Sequence, residues 1–284
     1  KGGTVEIPSG HFLTRTLFLK SNVNLHLHFG AELLGSTDLD SYHKVFPELK
    51  GKESPALIFA RGVTNIAITG SGTINGQGAH QNFQHGNDSK GGPRRPKIIY
   101  FIGCNNVRVQ DVTLRNSAYW TQDYEKCDGV IVRGVKVYSH ANWNNDGLDI
   151  DSRNVVVSDC YIDCDDDALC LKSDTDTPCE NVTVTNCVLK SNCNAIKFGT
   201  SSYSGFKNVT ISNCTIDRAS EDHIRQWYKN YPWIGTKHKT VVAGIALESV
   251  DGGIIENVSI SDIAMQGVQT PIFIRLGDRK RTFS

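Results

Sequence analysis

Residues 154–160 read Asn-Val-Val-Val-Ser-Asp-Cys, residues 181–187 read Asn-Val-Thr-Val-Thr-Asn-Cys, and residues 208–214 read Asn-Val-Thr-Ile-Ser-Asn-Cys. The same pattern, less complete, begins at Asn65, Asn106, Gly129 and Asn257, so that successive starts are separated by 41, 23, 25, 27, 27 and 49 residues. A period of roughly 20–30 residues is typical of a solenoid, in which each unit stacks on the next.

Each unit alternates apolar and polar residues between turn-forming residues, which is the pattern of short β-strands. No helical period is present, and Gly (26 residues) is abundant. The sequence therefore predicts an all-β chain folded as a parallel β-helix. Coils would stack in register about 4.8 Å apart, so that equivalent residues form columns.

Two columns follow directly from this register. The first should line the core and contains Val112, Val135, Cys160, Cys187, Cys214 and Ile263, with the cysteines as packed thiols. The second is an asparagine ladder at a turn, formed by Asn154, Asn181, Asn208 and Asn257.

Composition excludes several classes of function. Lys+Arg and Asp+Glu are both 30, so the net charge is zero and a charge-driven nucleic-acid partner is not expected. There is no apolar run of about 18 residues, so we expect no membrane span. The nine cysteines lack zinc-type spacing, and neither a metal nor a cofactor is expected. The oligomeric state stays open.

The 284 residues fit one β-helix domain, 1–284, which we interpret as an excised part of a longer chain because it begins and ends within strand-like sequence. Insertions near 36–52, 79–97 and 218–239 are predicted to be loops beside a groove. The third is rich in aromatic residues, which either stack on sugar rings or pack against one another.

Carboxylates cluster on two adjacent units. Aligning Leu148 with Leu169 places Asp146 over Asp167, with Asp166 one residue earlier. Carboxylates stacked this closely repel one another, which a fold tolerates when they bind a metal or divide acid and base roles between them. The alternative is that they are turn formers. We expect the further acidic residues Asp149, Asp151 and Asp163 to be solvated or to support turns.

The chain resembles glycoside hydrolase family 28, the polygalacturonase-like right-handed β-helix hydrolases, over nearly its whole length. The family's Asn-Thr-Asp motif matches Asn144-Asn145-Asp146, and its Gly-Asp-Asp motif matches Asp165-Asp166-Asp167, followed by Leu171-Lys172-Ser173. Further similarity lies in Gly2-Gly3-Thr4-Val5, Gly70-Ser71-Gly72-Thr73-Ile74-Asn75-Gly76, Trp120-Thr121 and Pro271-Ile272-Phe273-Ile274-Arg275-Leu276-Gly277.

The resemblance implies a role for each matching residue. Asp166 would be the general acid. Asp146 and Asp167 would together hold and deprotonate the attacking water, and its attack would invert the configuration of the anomeric carbon. Substrate contacts are expected from Asn144, Lys172, Asn194, Lys197, Glu248 and His223.

Two departures from the family bear on the substrate. Asn194 stands where the family has the histidine of Gly-His-Gly, and Ala246 with Glu248 replace the cations of Arg-Ile-Lys. A glutamate there would repel a uronate. Lys197 is the candidate substitute cation, facing outward beside the carboxylates, and a solvated surface lysine is the alternative. His223, in the third insertion, is a second candidate substitute, for the missing histidine.

We therefore expect an inverting hydrolase of α-glycosidic bonds in pectin-type polysaccharides or oligosaccharides, with a neutral sugar such as rhamnose as one option at the cleavage site. A non-catalytic carbohydrate-binding β-helix and a Ca²⁺-dependent polysaccharide lyase are the alternatives. Pectic polymers lie outside cells, so the substrate class predicts a secreted or periplasmic protein.

Overall fold

A computed structural model describes residues 1–46, 54–83, 95–221 and 240–281. Within these residues there is one short helix, α1 (Leu39–Val45), and a single 3-10 turn, Gln81–Phe83. The strands are β1 (Gly3–Ile7), β2 (Gly10–Thr14), β3 (Leu17–Phe18), β4 (Val23–Leu27), β5 (Ala31–Gly35), β6 (Ala56–Arg61), β7 (Thr64–Gly70), β8 (Thr73–Asn75), β9 (Lys97–Ile102), β10 (Asn105–Gln110), β11 (Thr113–Arg115), β12 (Gln122–Arg133), β13 (Lys136–Ser139), β14 (Leu148–Ser158), β15 (Tyr161–Cys164), β16 (Leu169–Ser173), β17 (Cys179–Thr185), β18 (Val188–Ser191), β19 (Asn194–Ser202), β20 (Phe206–Arg218), β21 (Val241–Ser249), β22 (Ile255–Met265) and β23 (Val268–Leu276).

Parallel pairing between successive coils arranges these strands in three faces. The first face stacks β3, β6, β9, β12, β14, β16, β19, β21 and β23. The second contains β1, β4, β7 and β10, then the ends of β12 and β14, then β17, β20 and β22. The third runs from β2 through β5, β8, β11, β13, β15 and β18 to the ends of β20 and β22. The predicted right-handed parallel β-helix is confirmed.

Apolar side chains fill the inside of the coil because every second residue of each strand points inward. The predicted core column behaves as expected: Val112, Val135, Cys160, Cys187 and Cys214 are buried, and Ile263 is partly buried against them. The cysteines are free thiols. Each supplies the volume of a small apolar side chain to the core.

The asparagine ladder runs along the outside of the second face. Asn181 donates from Nδ2 to Asn154 Oδ1 at 2.9 Å and accepts from Asn208 at 3.1 Å, and Asn257 donates to Asn208 at 3.1 Å. All four have a left-handed backbone, with φ between 53° and 56°. Asparagine tolerates this conformation better than other non-glycine residues, which is why it recurs at this turn.

The structure corrects the loop boundaries. The insertion at 36–52 is not loop throughout, because α1 lies within it. Lys97, placed at the end of the second insertion, is instead the first residue of β9 and is 2% exposed. Most of 218–239 lies outside the described residues. No described helix has the length and apolar character that crossing a membrane requires.

Candidate active site

The register of the first face brings the two acidic motifs together. Leu148 pairs with Leu169 across β14 and β16, and the backbone N–H of Gly147 donates to the carbonyl of Asp167 at 2.9 Å. A side chain at Gly147 would place its Cβ 2.3 Å from Ile162 Cγ2, so only glycine fits immediately after Asp146. The close packing of adjacent coils thus fixes the height of Asp146 over Asp167.

The three predicted carboxyl groups share one site. Oxygens of Asp146 and Asp167 belong to a group of ligand atoms that lie within 4.8 Å of one another, and so do oxygens of Asp166 and Asp167. Exposure is small, at 4% for Asp146, 6% for Asp166 and 2% for Asp167. Such close, poorly hydrated carboxyl groups affect one another's protonation, which suits acid and base chemistry.

Asp166 is oriented by a side chain of the preceding coil. Its Oδ2 accepts from Asn144 Nδ2 at 3.2 Å, and its Oδ1 accepts from the backbone N–H of Asp167 at 2.9 Å. Asn144, predicted as a substrate contact, therefore positions the carboxyl of Asp166 here.

Asp167 is held by the following coil. Its Oδ1 accepts from Asn194 Nδ2 at 2.7 Å, and its Oδ2 lies 2.8 Å from Lys197 Nζ. Only 14% of the Lys197 side chain is exposed, so the alternative of a solvated surface lysine is wrong. Burial acts against protonation of this lysine, but the negative charge of Asp167 prevails and the pKa of Lys197 lies well above its usual value.

Asp146 lies beside a second lysine. Lys172 Nζ is 3.9 Å from Asp146 Oδ2 and 3.0 Å from Asp149 Oδ1. Burial, then the negative charges of Asp166 and Asp149, hold the pKa of Asp146 well above its usual range. A proton is therefore retained within this group of carboxyls under conditions where an exposed aspartate has lost it.

Asp149, Asp151 and Asp163 were expected to be solvated or to support turns, and none of them is solvated, since they are 0%, 5% and 0% exposed. Burial raises the pKa of Asp149 to about 7 despite the nearby Lys172. Asp151 does support a turn, because it accepts from the backbone N–H of Asp174 at 2.8 Å. Asp163 contacts His140 Nε2 at 3.0 Å.

Lys97 and Asp123, which the sequence did not single out, extend the site toward earlier coils. Lys97 Nζ lies 2.5 Å from Asp123 Oδ2 and 4.5 Å from the centre of the Trp120 ring. Lys172 Nζ also lies over this ring, at 4.3 Å. The indole thus has two ammonium groups against it, a favourable arrangement for its negative ring face. The sequence signal for Lys97 was its place as the first residue of the otherwise apolar strand β9.

Arg95 is a further residue that the sequence did not indicate. Its guanidinium donates to the carbonyl of Trp143 at 2.6 Å, to Asn142 Oδ1 at 3.0 Å and to Asn144 Oδ1 at 3.4 Å. It is 1% exposed. Arg95 therefore supports the loop that carries the first acidic motif, and its position between two prolines gave no indication of this.

Ala246 and Glu248, which stand where the family has cations, lie on the coil after that of Lys197. Ala246 pairs in register with Lys197, and Phe273 pairs with Ala246. Glu248 is 9% exposed and pairs in register with Arg275. Lys197 is thus one coil closer to the carboxylates than Ala246. His223 lies outside the described residues.

Metal ligation at this site is limited by the donors present. The groups of potential ligand atoms are Asp146, Asp167 and Cys170, and Asp166, Asp167 and Cys193. Burial raises the pKa of the Cys170 thiol well above its usual value. Lysine ammonium groups already balance Asp167 and Asp149. The arrangement therefore suits proton transfer.

Comparison with known proteins finds similar sequences and similar folds. A probable polygalacturonase of Vitis vinifera is 32% identical over 188 residues, which are 62% of this chain and 38% of that protein. The chain thus matches well under half the length of that relative. The polygalacturonase from Erwinia carotovora ssp. carotovora superposes with a TM-score of 0.77 at 20% identity, covering 98% of this chain and 74% of that one. The family 28 exopolygalacturonase of Yersinia enterocolitica gives 0.66 at 21%, covering 99% and 62%.

At these identities the solved structures show the fold alone. The family is shown by a sequence model that spans nearly all of the chain. The model for glycosyl hydrolases family 28 matches residues 3–279, which include both acidic motifs. The chain belongs to glycosyl hydrolases family 28.

Proposed function

We propose that this chain carries the catalytic site of an inverting glycoside hydrolase that cleaves α-glycosidic bonds in pectin-type polysaccharides or oligosaccharides. The observation that carries the proposal is the meeting of Asp146, Asp166 and Asp167 from two stacked coils in one largely buried site. Family membership and the polygalacturonase names of the relatives support the substrate class.

In this proposal Asp166 donates a proton to the glycosidic oxygen as the bond from that oxygen to the anomeric carbon breaks. Asp146 and Asp167 hold a water molecule, accept its proton, and direct its oxygen to the opposite side of the same carbon. Burial and the charges of Asp166 and Asp149 raise the pKa of Asp146, which supports the presence of one protonated carboxyl in the cluster. In the reacting complex we assign that proton to Asp166.

The spacing of the carboxyls fits this division of roles. Carboxyls about 5 Å apart are typical of retaining enzymes when one is the acid and the other the nucleophile. Asp146 and Asp167, which lie about one coil apart, share the base role here, and the acid is the third group. A water molecule between them is therefore consistent with inversion.

The test of catalysis is product analysis on a panel of pectic oligosaccharides, with the anomeric configuration followed by NMR. We expect inverted products, and a loss of activity of about 10²-fold or more in Asp166→Asn because a positioned acid is removed. Asp128→Asn, a change at a partly exposed residue on the second face, is the control. Retained configuration, unsaturated ultraviolet-absorbing products, or no hydrolysis on any substrate would contradict the proposal.

We further propose that the sugar at the cleavage site is neutral, such as rhamnose in rhamnogalacturonan. The support is that Ala246 and Glu248 supply no cation, and that Lys197 is already paired with Asp167 at 2.8 Å. A uronate carboxylate there would meet Glu248 and gain little from Lys197.

A charge-restoring variant tests this specificity. Ala246→Arg combined with Glu248→Lys should raise activity on polygalacturonate relative to rhamnose-containing fragments, since it returns cations to the positions where the family holds them. Ala246→Gln with Glu248→Gln is the uncharged control. Efficient cleavage of plain polygalacturonate by the unaltered chain, unaffected by Lys197→Ala, would exclude the neutral-sugar proposal.

Action outside the cytoplasm, by secretion or in a periplasm, is part of the proposal because pectic polymers are extracellular. Cell fractionation of the native source with an antibody against this chain tests it. Recovery in the cytoplasmic fraction alone would contradict it.

A further inference from the structure

A group of side chains that could ligate a metal lies on the first two coils, several coils before those that carry the acidic motifs. Glu6 on β1 pairs in register with His26 on β4, and His28 follows β4 directly. One ligand atom from each of the three lies within 4.8 Å of the other two. His28 Nε2 contacts Glu6 Oε2, and the centres of the two imidazole rings are 5.1 Å apart.

The tautomer of His26 follows from its hydrogen-bond partners. The hydroxyl of Thr69 has a single proton, which it donates to Asn24 Oδ1 at 2.9 Å. Its oxygen must therefore accept the contact from His26 Nδ1 at 2.8 Å, so that Nδ1 carries the ring proton. The lone pair of the neutral ring is then on Nε2. An imidazole fixed in this way by a hydrogen bond to its other nitrogen is the usual arrangement of a metal ligand.

We propose that Glu6, His26 and His28 bind a divalent transition-metal ion of the zinc type. Two imidazole nitrogens and one carboxylate oxygen form a recognised zinc donor set, with bonds of about 2.0–2.2 Å and water in the remaining position. Small side-chain rotations bring ligand atoms within 4.8 Å onto one ion. Half of the side chain is exposed for both Glu6 (55%) and His28 (52%), so an ion can enter from solvent.

A bound ion would join the first two coils, because Glu6 and His26 belong to neighbouring strands. This metal site is independent of the proposed hydrolase activity. The spacing of the cysteines did not indicate the site, because the proposed ligands are histidine and glutamate. The chain also provides a natural comparison. His11 Nδ1 contacts Glu32 Oε2 at 2.9 Å on the third face, which is a histidine–carboxylate pair on the same coils.

The experiment is titration of the metal-free full chain with Zn²⁺ by calorimetry, at neutral pH after treatment with chelator. We expect His26→Ala, His28→Ala and Glu6→Gln each to weaken binding at one site at least 10-fold. Thr69→Val, which leaves all three ligands in place, should weaken it by about 10-fold through the loss of ring orientation. His11→Ala should leave binding unchanged.

Thermal unfolding gives a second readout that does not depend on enzymatic activity. Excess Zn²⁺ should raise the melting temperature of the unaltered chain and of His11→Ala, but not that of Glu6→Gln, whose fold is checked by circular dichroism in chelator. Binding should also weaken in acid, since imidazole must lose its proton to ligate. Equal Zn²⁺ binding by the unaltered chain and by His26→Ala, or loss of binding in His11→Ala alone, would overturn the proposal.

Discussion

Asp151 shows how the coil can bury a carboxyl group at a turn. It is 5% exposed, and burial raises the pKa of its carboxyl well above the usual value, even though the backbone N–H of Asp174 opposes the shift. In the unfolded chain the same group loses its proton near its ordinary pKa of about 3.9. Above that pH the folded state binds more protons than the unfolded state, so this group makes stability fall as pH rises.

Replacement of Asp151 by asparagine should therefore flatten the pH dependence of stability. Asparagine keeps an acceptor for Asp174 but carries no charge, so the free energy of unfolding between pH 5 and pH 8 should fall less than in the unaltered chain, by at least about 1 kcal/mol. Urea unfolding at the two pH values measures this difference.

Asp128 supplies a control of opposite sign. Hydrogen bonds from Asn154 and then from Arg153, together outweighing its slight burial, lower the pKa of its carboxyl. The stability that Asp128 contributes to the folded state is therefore present above its unfolded-state pKa and is lost as pH falls. Asp128→Asn should therefore be less stable than the unaltered chain at neutral pH, and this difference should shrink at pH 3. A parallel pH profile for Asp151→Asn and the unaltered chain would contradict the account of Asp151.

Single residues of the site were predictable to different degrees. Asp146, Asp166 and Asp167 could be placed together because parallel stacking turns sequence spacing into height. The burial of Asp149 and Asp151 could not be predicted, because it depends on lysines and turns that other coils contribute. Lys97 and Arg95 were missed since both were assigned to the end of the second insertion, where the repeat does not assign positions.

At the level of the strand and its turn, the asparagine ladder combines two stabilising effects. Asn181 takes part in hydrogen bonds to both neighbouring coils and adopts φ of 55°. Each hydrogen bond contributes about 0.5–1.5 kcal/mol, toward the lower end for exposed groups. A left-handed backbone costs most other L-residues about 1–2 kcal/mol.

Two substitutions at Asn181 should separate these effects. Asn181→Gly keeps the backbone conformation accessible and loses the side-chain bonds, at a cost of about 1 kcal/mol. Asn181→Ala loses both and should cost about 2 kcal/mol. Equilibrium urea unfolding gives both values, and an equal cost for the two variants would show that backbone strain has no part.

The strands themselves were the most predictable elements. The repeat fixed their period, their inward residues and the turn asparagines, because the same local solution recurs in each coil. It failed at α1, since a short helix within an insertion has no counterpart in other coils. The long strands β12, β14, β20 and β22 were also not foreseen, because bending from one face to the next leaves no sequence interruption.

Across the whole molecule, the last described coil exposes apolar side chains. Ile272, Ile274 and Leu276 are 60%, 67% and 81% exposed, and β23 pairs with β21 alone among the described strands. An exposed apolar strand edge is a site for association, and a net charge of zero offers little repulsion between copies.

Ile274→Lys should therefore reduce self-association of this chain, seen as lower light scattering at raised protein concentration near neutral pH. Phe29→Lys is the matched control, because Phe29 is 84% exposed in a turn and the change adds the same charge. Equal scattering by the unaltered chain and Ile274→Lys, or an equal decrease in both variants, would contradict a specific role for β23.

On the first face, one outward column passes through Phe59, Tyr100, Asp123, Asp149, Cys170, Lys197 and Ala246, each supplied by a different coil. Duplicating or deleting a whole coil would lengthen or shorten this series by a single member and leave the others in the same sequence. Evolution can thus alter which sugars a solenoid accepts by copying whole units, without rebuilding the acidic centre.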